Sequence, residues 1–133
     1  MIGIDTNILV RFLTNDDPEQ AQKVGVLLDN NDIFVPNTVL LETEWMLRYA
    51  YKITKIKILN SFNLLLGLPG LTVEDLDQVT IALSWYEKGL DFADAMHLAT
   101  SQKYNQFATF DKELRKKVSD ISSIEIFEPP HLL

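Results

Sequence analysis

Four carboxylates carry the chemistry that this sequence is equipped to do. Asp5 and Asp111 each close a short apolar run, Ile2 to Ile4 and Phe107 to Phe110, while Glu42 and Asp94 each fall about one turn into a stretch patterned as a helix. Carboxylates a few ångströms apart repel by on the order of several kcal/mol per close pair at an effective dielectric of about 20, so any such grouping must be compensated. Shared protons with raised pKa values, basic partners or hard divalent cations are the available means. A donor set made only of oxygens suits Mg2+ or Mn2+, which makes metal the best account. A cation of that kind lowers the pKa of a coordinated water and stabilises the charge that builds on a phosphodiester during in-line attack.

Whether acids so far apart in sequence meet depends on the elements that carry them. The short β-branched run Ile2 to Ile4 reads as a strand, placed where a central parallel strand can begin directly. Ile8, Leu9, Phe12 and Leu13 then recur at one-face helical spacing. Asp17-Pro18-Glu19 supplies a cap, a proline for the first helical position and a first-turn acid, predicting a helix to about Asn30. Ile33-Phe34-Val35 is a second strand closed by Pro36, after which Asn37 or Thr38 caps a helix through Glu42, Trp45, Met46 and Ala50. A helix from Thr54 to about Leu66, a strand at Leu71-Thr72-Val73 and a helix from Glu74 to Glu87, stopped by Gly89, come next. Asp91 caps the following helix, through Ala93, Met96, Leu98 and Ala99, with Asp94 at its third position. Phe107 to Phe110 forms a strand ending at Asp111, a short basic helix spans Lys112 to Lys117, and a last strand lies near Ile124 to Phe127. This alternation predicts a three-layer α/β/α domain with a central, mainly parallel sheet. In such sheets the functional crevice lies beyond the carboxyl ends of the strands, and right-handed crossovers deliver successive strand ends to that edge. The four carboxylates are therefore expected at one site.

The 133 residues are the length of one compact domain, 1–133, and a 47% hydrophobic content is enough for a core without disulfides or structural metal. With no cysteine, a disulfide scaffold, a thiolate zinc site and a cysteine nucleophile are excluded together, and a cytoplasmic setting is expected. No apolar run approaches the roughly 20 residues of a spanning helix, and no basic segment precedes an apolar stretch at the N-terminus, so a soluble protein with no membrane partner is expected. The formal net charge of −7 argues against wrapping nucleic acid through a broadly basic surface. Carboxylates gathered around cations nevertheless lower the formal count while the occupied site attracts phosphate. No internal repeat, low-complexity tract or linker interrupts the sequence.

The segments I-D-T-N (Ile4 to Asn7), V-L-L-E-T-E-W-M-L-R (Val39 to Arg48), D-F-A-D-A-M-H-L-A (Asp91 to Ala99) and A-T-F-D-K-E-L (Ala108 to Leu114) resemble the ordered signature of the PIN domain. Within that family the resemblance is to the VapC-type toxins of bacterial toxin-antitoxin pairs. It covers nearly the whole chain, with all four acidic positions in order. It implies Mg2+ or Mn2+ bound by Asp5, Glu42, Asp94 and Asp111, and hydrolytic cleavage of single-stranded or looped RNA. It also implies that Asn7 and Thr109 help to orient ligands or a water. Asp94 is the better match to the family's principal aspartate, which leaves Asp91 in a supporting role. A homodimer and a cognate antitoxin that blocks the cleft are implied too, and a basic antitoxin segment would suit the acidic site.

Each acid also has a plainer reading. Asp5 and Asp111 are placed to cap the helices after them, and Asp91 is better placed as an N-cap than as a ligand. Glu44 competes with Glu42, but at about 100° per residue the two point in opposite directions, and Trp45 and Met46 favour Glu42 at the buried rim. His97, one turn after Asp94, reads as a partly buried histidine making a supporting contact, and His131, after Pro129-Pro130, as uninvolved. Lys112, Arg115, Lys116 and Lys117 form a basic patch beside the proposed cleft, suited to RNA phosphates, and Arg48, Lys52, Lys55 and Lys57 are a second candidate. The apolar surplus from Ile53 to Leu71 is core with room for a dimer face. Three other functions compete. A DNA-directed nuclease needs helical arches or duplex-binding elements for which the chain has no room. A phosphoacceptor receiver wants an acidic pair after its first strand, where Asp5 is followed by Thr6-Asn7. A non-catalytic PIN-fold RNA-binding or regulatory module is opposed by the full acidic set.

Overall fold

The computed structural model describes residues 1–130, so His131 lies outside the described residues. The chain divides into two compact units, Met1–Leu76 and Asp77–Leu133. The first contains β1 (Ile2–Gly3), α1 (Thr6–Thr14), α2 (Pro18–Asn30), β2 (Ile33–Val35), α3 (Asn37–Tyr49), α4 (Lys55–Leu66) and β3 (Leu71–Val73). Its strands form a parallel sheet in the order β1-β2-β3, with Ile2 opposite Ile33 and Phe34 opposite Thr72. The bond from Ile4 N to Phe34 O, 3.1 Å, carries the pairing one residue past β1. In this sheet β1 is an edge strand with both residues exposed, and β2 takes the middle because Ile33 and Val35 are the residues it buries. Leu9, Val10, Val24, Leu40, Leu47, Ile58, Phe62 and Leu65 complete a core drawn from one face of each helix.

Local signals set most of the helix ends. Asp17 accepts from Gln20 N at 3.2 Å, with Pro18 at the first position of α2. The start of α3 departs from the expected capping. Pro36, extended at φ −62° and ψ 151°, holds the cap position, and neither Asn37 nor Thr38 caps the helix with its side chain. Glu74 does that work from the end of β3: its Oε1 accepts from Asn37 N at 2.8 Å. Parallel pairing of β3 beside β2 brings that residue to the first free amide of the helix. α5 begins at Leu76, two residues later than the expected start at Glu74.

A polar cluster ties the turn between α1 and α2 to the segment after α3. Arg11 Nη1 donates to Tyr51 Oη at 3.1 Å and to Asp16 Oδ1 at 3.3 Å, and the Tyr51 hydroxyl donates to Asp16 Oδ2 at 2.7 Å. The Tyr51 and Thr14 hydroxyls, then the Arg11 charge, hold the Asp16 carboxyl below its ordinary value. Because the folded value is the lower one, this stabilisation is present above the unfolded carboxylate pKa and is lost as pH falls through the folded one. Tyr51→Phe is therefore expected to lower stability at neutral pH and to match the parent at strongly acidic pH, as read by urea unfolding at both. An equal loss at both pH values would mean that the hydroxyl acts through packing alone.

The second unit holds α5 (Leu76–Glu87), α6 (Phe92–Ser101), a 3-10 turn at Gln102–Tyr104, β4 (Gln106–Ala108), α7 (Lys112–Ser119) and β5 (Glu125–Phe127). β4 and β5 pair in parallel, Phe107 opposite Ile126. β4 stops two residues short of Phe110, which is 72% exposed and has no partner strand to hold it. Gly89, at φ +114°, ends the helical run of α5 in a backbone conformation that a side chain would strain. Tyr86 meets Phe92 edge-on at 5.3 Å, closing the α5–α6 corner. Every described strand pairing is thus parallel and every described strand is followed or preceded by helix, the α/β class that the alternation predicted. Among the described residues no helix is long and apolar enough to cross a membrane.

Candidate metal centre

In the first unit Asp5 follows β1 and caps α1, its Oδ1 accepting from Ile8 N at 3.1 Å. The cap leaves Oδ2 without a hydrogen bond among the described residues. α1 packs on α3, and a pocket of about 260 Å³ is lined by Asp5, Thr6, Asn7, Thr38, Val39 and Glu42. The structure therefore brings Asp5, Asn7 and Glu42 together. Glu42 is exposed, however, and so is Trp45 at 56%, which corrects the placement of that side of α3 at a buried rim. Val39, Leu40, Thr43 and Leu47 define the buried face, and it is Glu44, 2% exposed, that points inward. Its charge is met one turn on by Arg48, with Nε 2.8 Å from Oε2 and Nη2 3.1 Å from Oε1. Arg48 is thereby drawn out of the second basic group expected from the sequence.

In the second unit Asp91 caps α6, its Oδ2 accepting from Ala93 N at 3.1 Å and Asp94 N at 3.4 Å. Asp94 stands in the first turn of the same helix. Asp111 caps α7 through Oδ1, which accepts from Glu113 N at 3.0 Å and Leu114 N at 3.1 Å, and its own N–H donates to Thr109 Oγ1 at 3.0 Å. Thr109 thus sets the loop that aims Asp111. The Asp94 carboxyl is pushed above its ordinary value, first by burial and then by the charges of Asp91 and Asp111, against a smaller opposing pull from His97 and Lys117. Asp94 is thus near enough to Asp91 and to Asp111 to feel the charge of each. His97 is exposed, not partly buried, because Phe92, Ala95, Met96 and Ala99 take the inner face of α6 and leave it on the outer side with Asp94.

Lys112, Arg115 and Lys116 are exposed on α7. Lys117 donates from Nζ to Gly89 O at 3.2 Å, and its charge reaches Asp94. At about 100° per residue Arg115 and Lys117 flank the buried Leu114 and Val118 on either side, whereas Lys112 and Lys116 fall on the opposite side.

Among the described residues no three His, Asp or Glu side chains stand close enough together to hold a metal ion. The donors nevertheless suit a hard cation. They are all carboxylate oxygens, and a divalent charge would favour the ionised form of Asp94, which burial first and then the charges of Asp91 and Asp111 disfavour.

A comparison with curated proteins gives no match. A family model described as the PIN domain matches residues 2–119, a span that covers nearly all of the first unit and most of the second, with Asp5, Glu42, Asp94 and Asp111 inside it. A match over so much of the sequence, on an α/β chain of parallel strands, means that this chain belongs to the PIN domain family, whose members are in general nucleases that use divalent metal ions.

Proposed function

We propose that this protein is an endoribonuclease and the toxin of a VapC-type toxin-antitoxin pair, with Asp5, Glu42, Asp94 and Asp111 holding Mg2+ or Mn2+. The observation that carries this reading is the pocket that Asp5, Asn7 and Glu42 line together, in a chain whose family is one of nucleases. When bound, the cation would supply the positive charge that activates water and offsets the negative charge developing on the phosphodiester.

The protein's own groups do the positioning. Helix amides hold one oxygen each of Asp5 and Asp111, so both carboxylates are aimed before any ligand arrives. Asn7 lines the same pocket as Asp5 and Glu42, where its amide can orient a ligand. Lys117 brings a positive charge close to Asp94, suited to a phosphate oxygen. The exposed Lys112, Arg115 and Lys116 supply a basic face that attracts RNA from a distance. The homodimer is supported by Ile56 and Leu64 of α4, apolar residues 67% and 75% exposed, and the antitoxin by the suitability of the acidic cluster for a basic segment.

The test is cleavage of a mixed single-stranded and looped RNA pool by the purified, antitoxin-free protein, in Mg2+, in Mn2+ and in EDTA. Cleavage with either metal and none in EDTA is the expected result. If no RNA is cut under any metal condition while RNA is still bound, the protein is a binding module of the same fold and the nuclease reading fails.

A further inference from the structure

A second and larger pocket, about 570 Å³, opens between α1 and α2 and shares Asp5 and Asn7 with the first. Its volume falls in the range of about 300–1,000 Å³ usual for ligand sites. Ile8, Val24 and Leu27 make an apolar floor, and Gln20 and Lys23 stand at its polar rim. Arg11 decides which way Gln20 faces. Its Nε can only donate and donates to Gln20 Oε1 at 2.8 Å, so the amide oxygen is used and the NH2 group of this pocket-lining residue is left to donate. Arg11 is itself held by Asp16 and Tyr51, and the backbone of Gln20 is pinned by the Asp17 cap. Among the described residues Gln20 Nε2 donates to no protein acceptor and Lys23 makes no ion pair. The rim on the α2 side thus offers donors above an apolar floor.

We propose that this pocket is a base-reading subsite for the single-stranded RNA substrate, an inference that rests on the nuclease reading and gives it a sequence preference. One base beside the bond to be cut lies on Ile8, Val24 and Leu27, Gln20 Nε2 donates to its edge, and Lys23 meets the adjoining phosphate. A peptide carbonyl could also accept from the amide, but a nucleotide alone sets a phosphate beside the ring that covers the floor, where the Lys23 ammonium stands. A fixed donor selects a keto edge, as in uracil or guanine, over the exocyclic amine of cytosine or adenine.

Two readouts test this on the whole chain. In the first, 1H–15N spectra are followed during titration with each of the four nucleoside 5′-monophosphates in metal-free buffer. The Gln20 side-chain amide and the Val24 and Leu27 signals should move with UMP or GMP at concentrations roughly 2- to 10-fold lower than with CMP or AMP, the discrimination of about one hydrogen bond. Gln20→Ala should erase that difference, and Arg11→Met should relax it with Gln20 still present, thermal melts confirming both folds. In the second, cut sites are sequenced from a random RNA pool with parent protein and Gln20→Ala. A keto preference at one position beside the cut, flattened in the variant, supports the subsite. A parent that binds the keto nucleotides yet cuts no RNA would remove the nuclease reading and leave the pocket. A parent that cuts RNA with the same site preference as Gln20→Ala, or signals that respond only to an apolar peptide, would overturn the subsite.

Discussion

Asp94→Asn is expected to lower metal-dependent RNA cleavage by at least about 10²- to 10³-fold, the scale on which loss of a preorganised charged group acts on such chemistry. The substitution keeps the shape of the side chain and its place in the first turn of α6, but it removes the charge that a cation would bind. It should not unfold the protein. Burial and the charges of Asp91 and Asp111 raise the folded pKa of Asp94, so ionised Asp94 opposes folding. That penalty is full above the folded pKa, diminishes as pH falls toward the ordinary carboxylate value, and vanishes below it. The metal-free Asn variant should therefore be at least as stable as the parent at neutral pH and equal to it in strong acid. Added Mn2+ should raise the melting temperature of the parent and not of the variant. Undiminished cleavage by a folded Asp94→Asn protein would remove Asp94 from the metal site.

Arg48→Met should cost about 2–4 kcal/mol of stability, a fall in melting temperature on the order of 10 °C. Glu44 is 2% exposed and accepts two hydrogen bonds from the Arg48 guanidinium, which also stacks 4.5 Å over the Tyr49 ring. Removing the arginine strips a buried carboxylate of its bidentate charge partner. The Arg48 side chain is one-third exposed, which holds the figure near or below the lower end for a fully buried pair. The double variant Glu44→Leu/Arg48→Met should recover most of the loss, because replacing both partners with apolar groups leaves no uncompensated charge. Chemical unfolding of the two variants and the parent measures this. An Arg48→Met protein within about 0.5 kcal/mol of the parent would show that the pair adds nothing.

Some of this architecture is written in short stretches of sequence. Asp17-Pro18, Asp91 and Asp111 cap the helices that follow them, and Ile33 to Val35 and Leu71 to Val73 are strands, because a cap or an apolar run acts through bonds only a few residues long. The acids proposed to hold the cation are picked out by type, since a hard cation wants carboxylate oxygens, and by the order in which the resemblance to the PIN domain sets them. The spacing of α7 also distinguishes Lys117 from Lys112 and Lys116, for a helical wheel needs no tertiary information once the buried Leu114 and Val118 are known.

Other features depend on partners that no local pattern names. Trp45 beside Glu42 suggested a buried rim, yet the packing of α1 against α3 buries the Thr43 side of α3 and leaves Trp45 in solvent. Glu44 then becomes the interior acid and Arg48 its counter-charge. The α3 amide taken by Glu74 comes from parallel pairing of two strands, and Arg11 meets Tyr51 across 40 positions, so neither contact could be read from neighbouring residues. By itself the sequence determined which segments become strands and helices and which side chains are able to do metal chemistry, because both follow from residue type and spacing within a turn or two. Only the tertiary structure decided which acid is buried, which oxygens the caps consume and which way Gln20 faces, because burial and hydrogen bonding are properties of pairs of elements and arise when the elements pack.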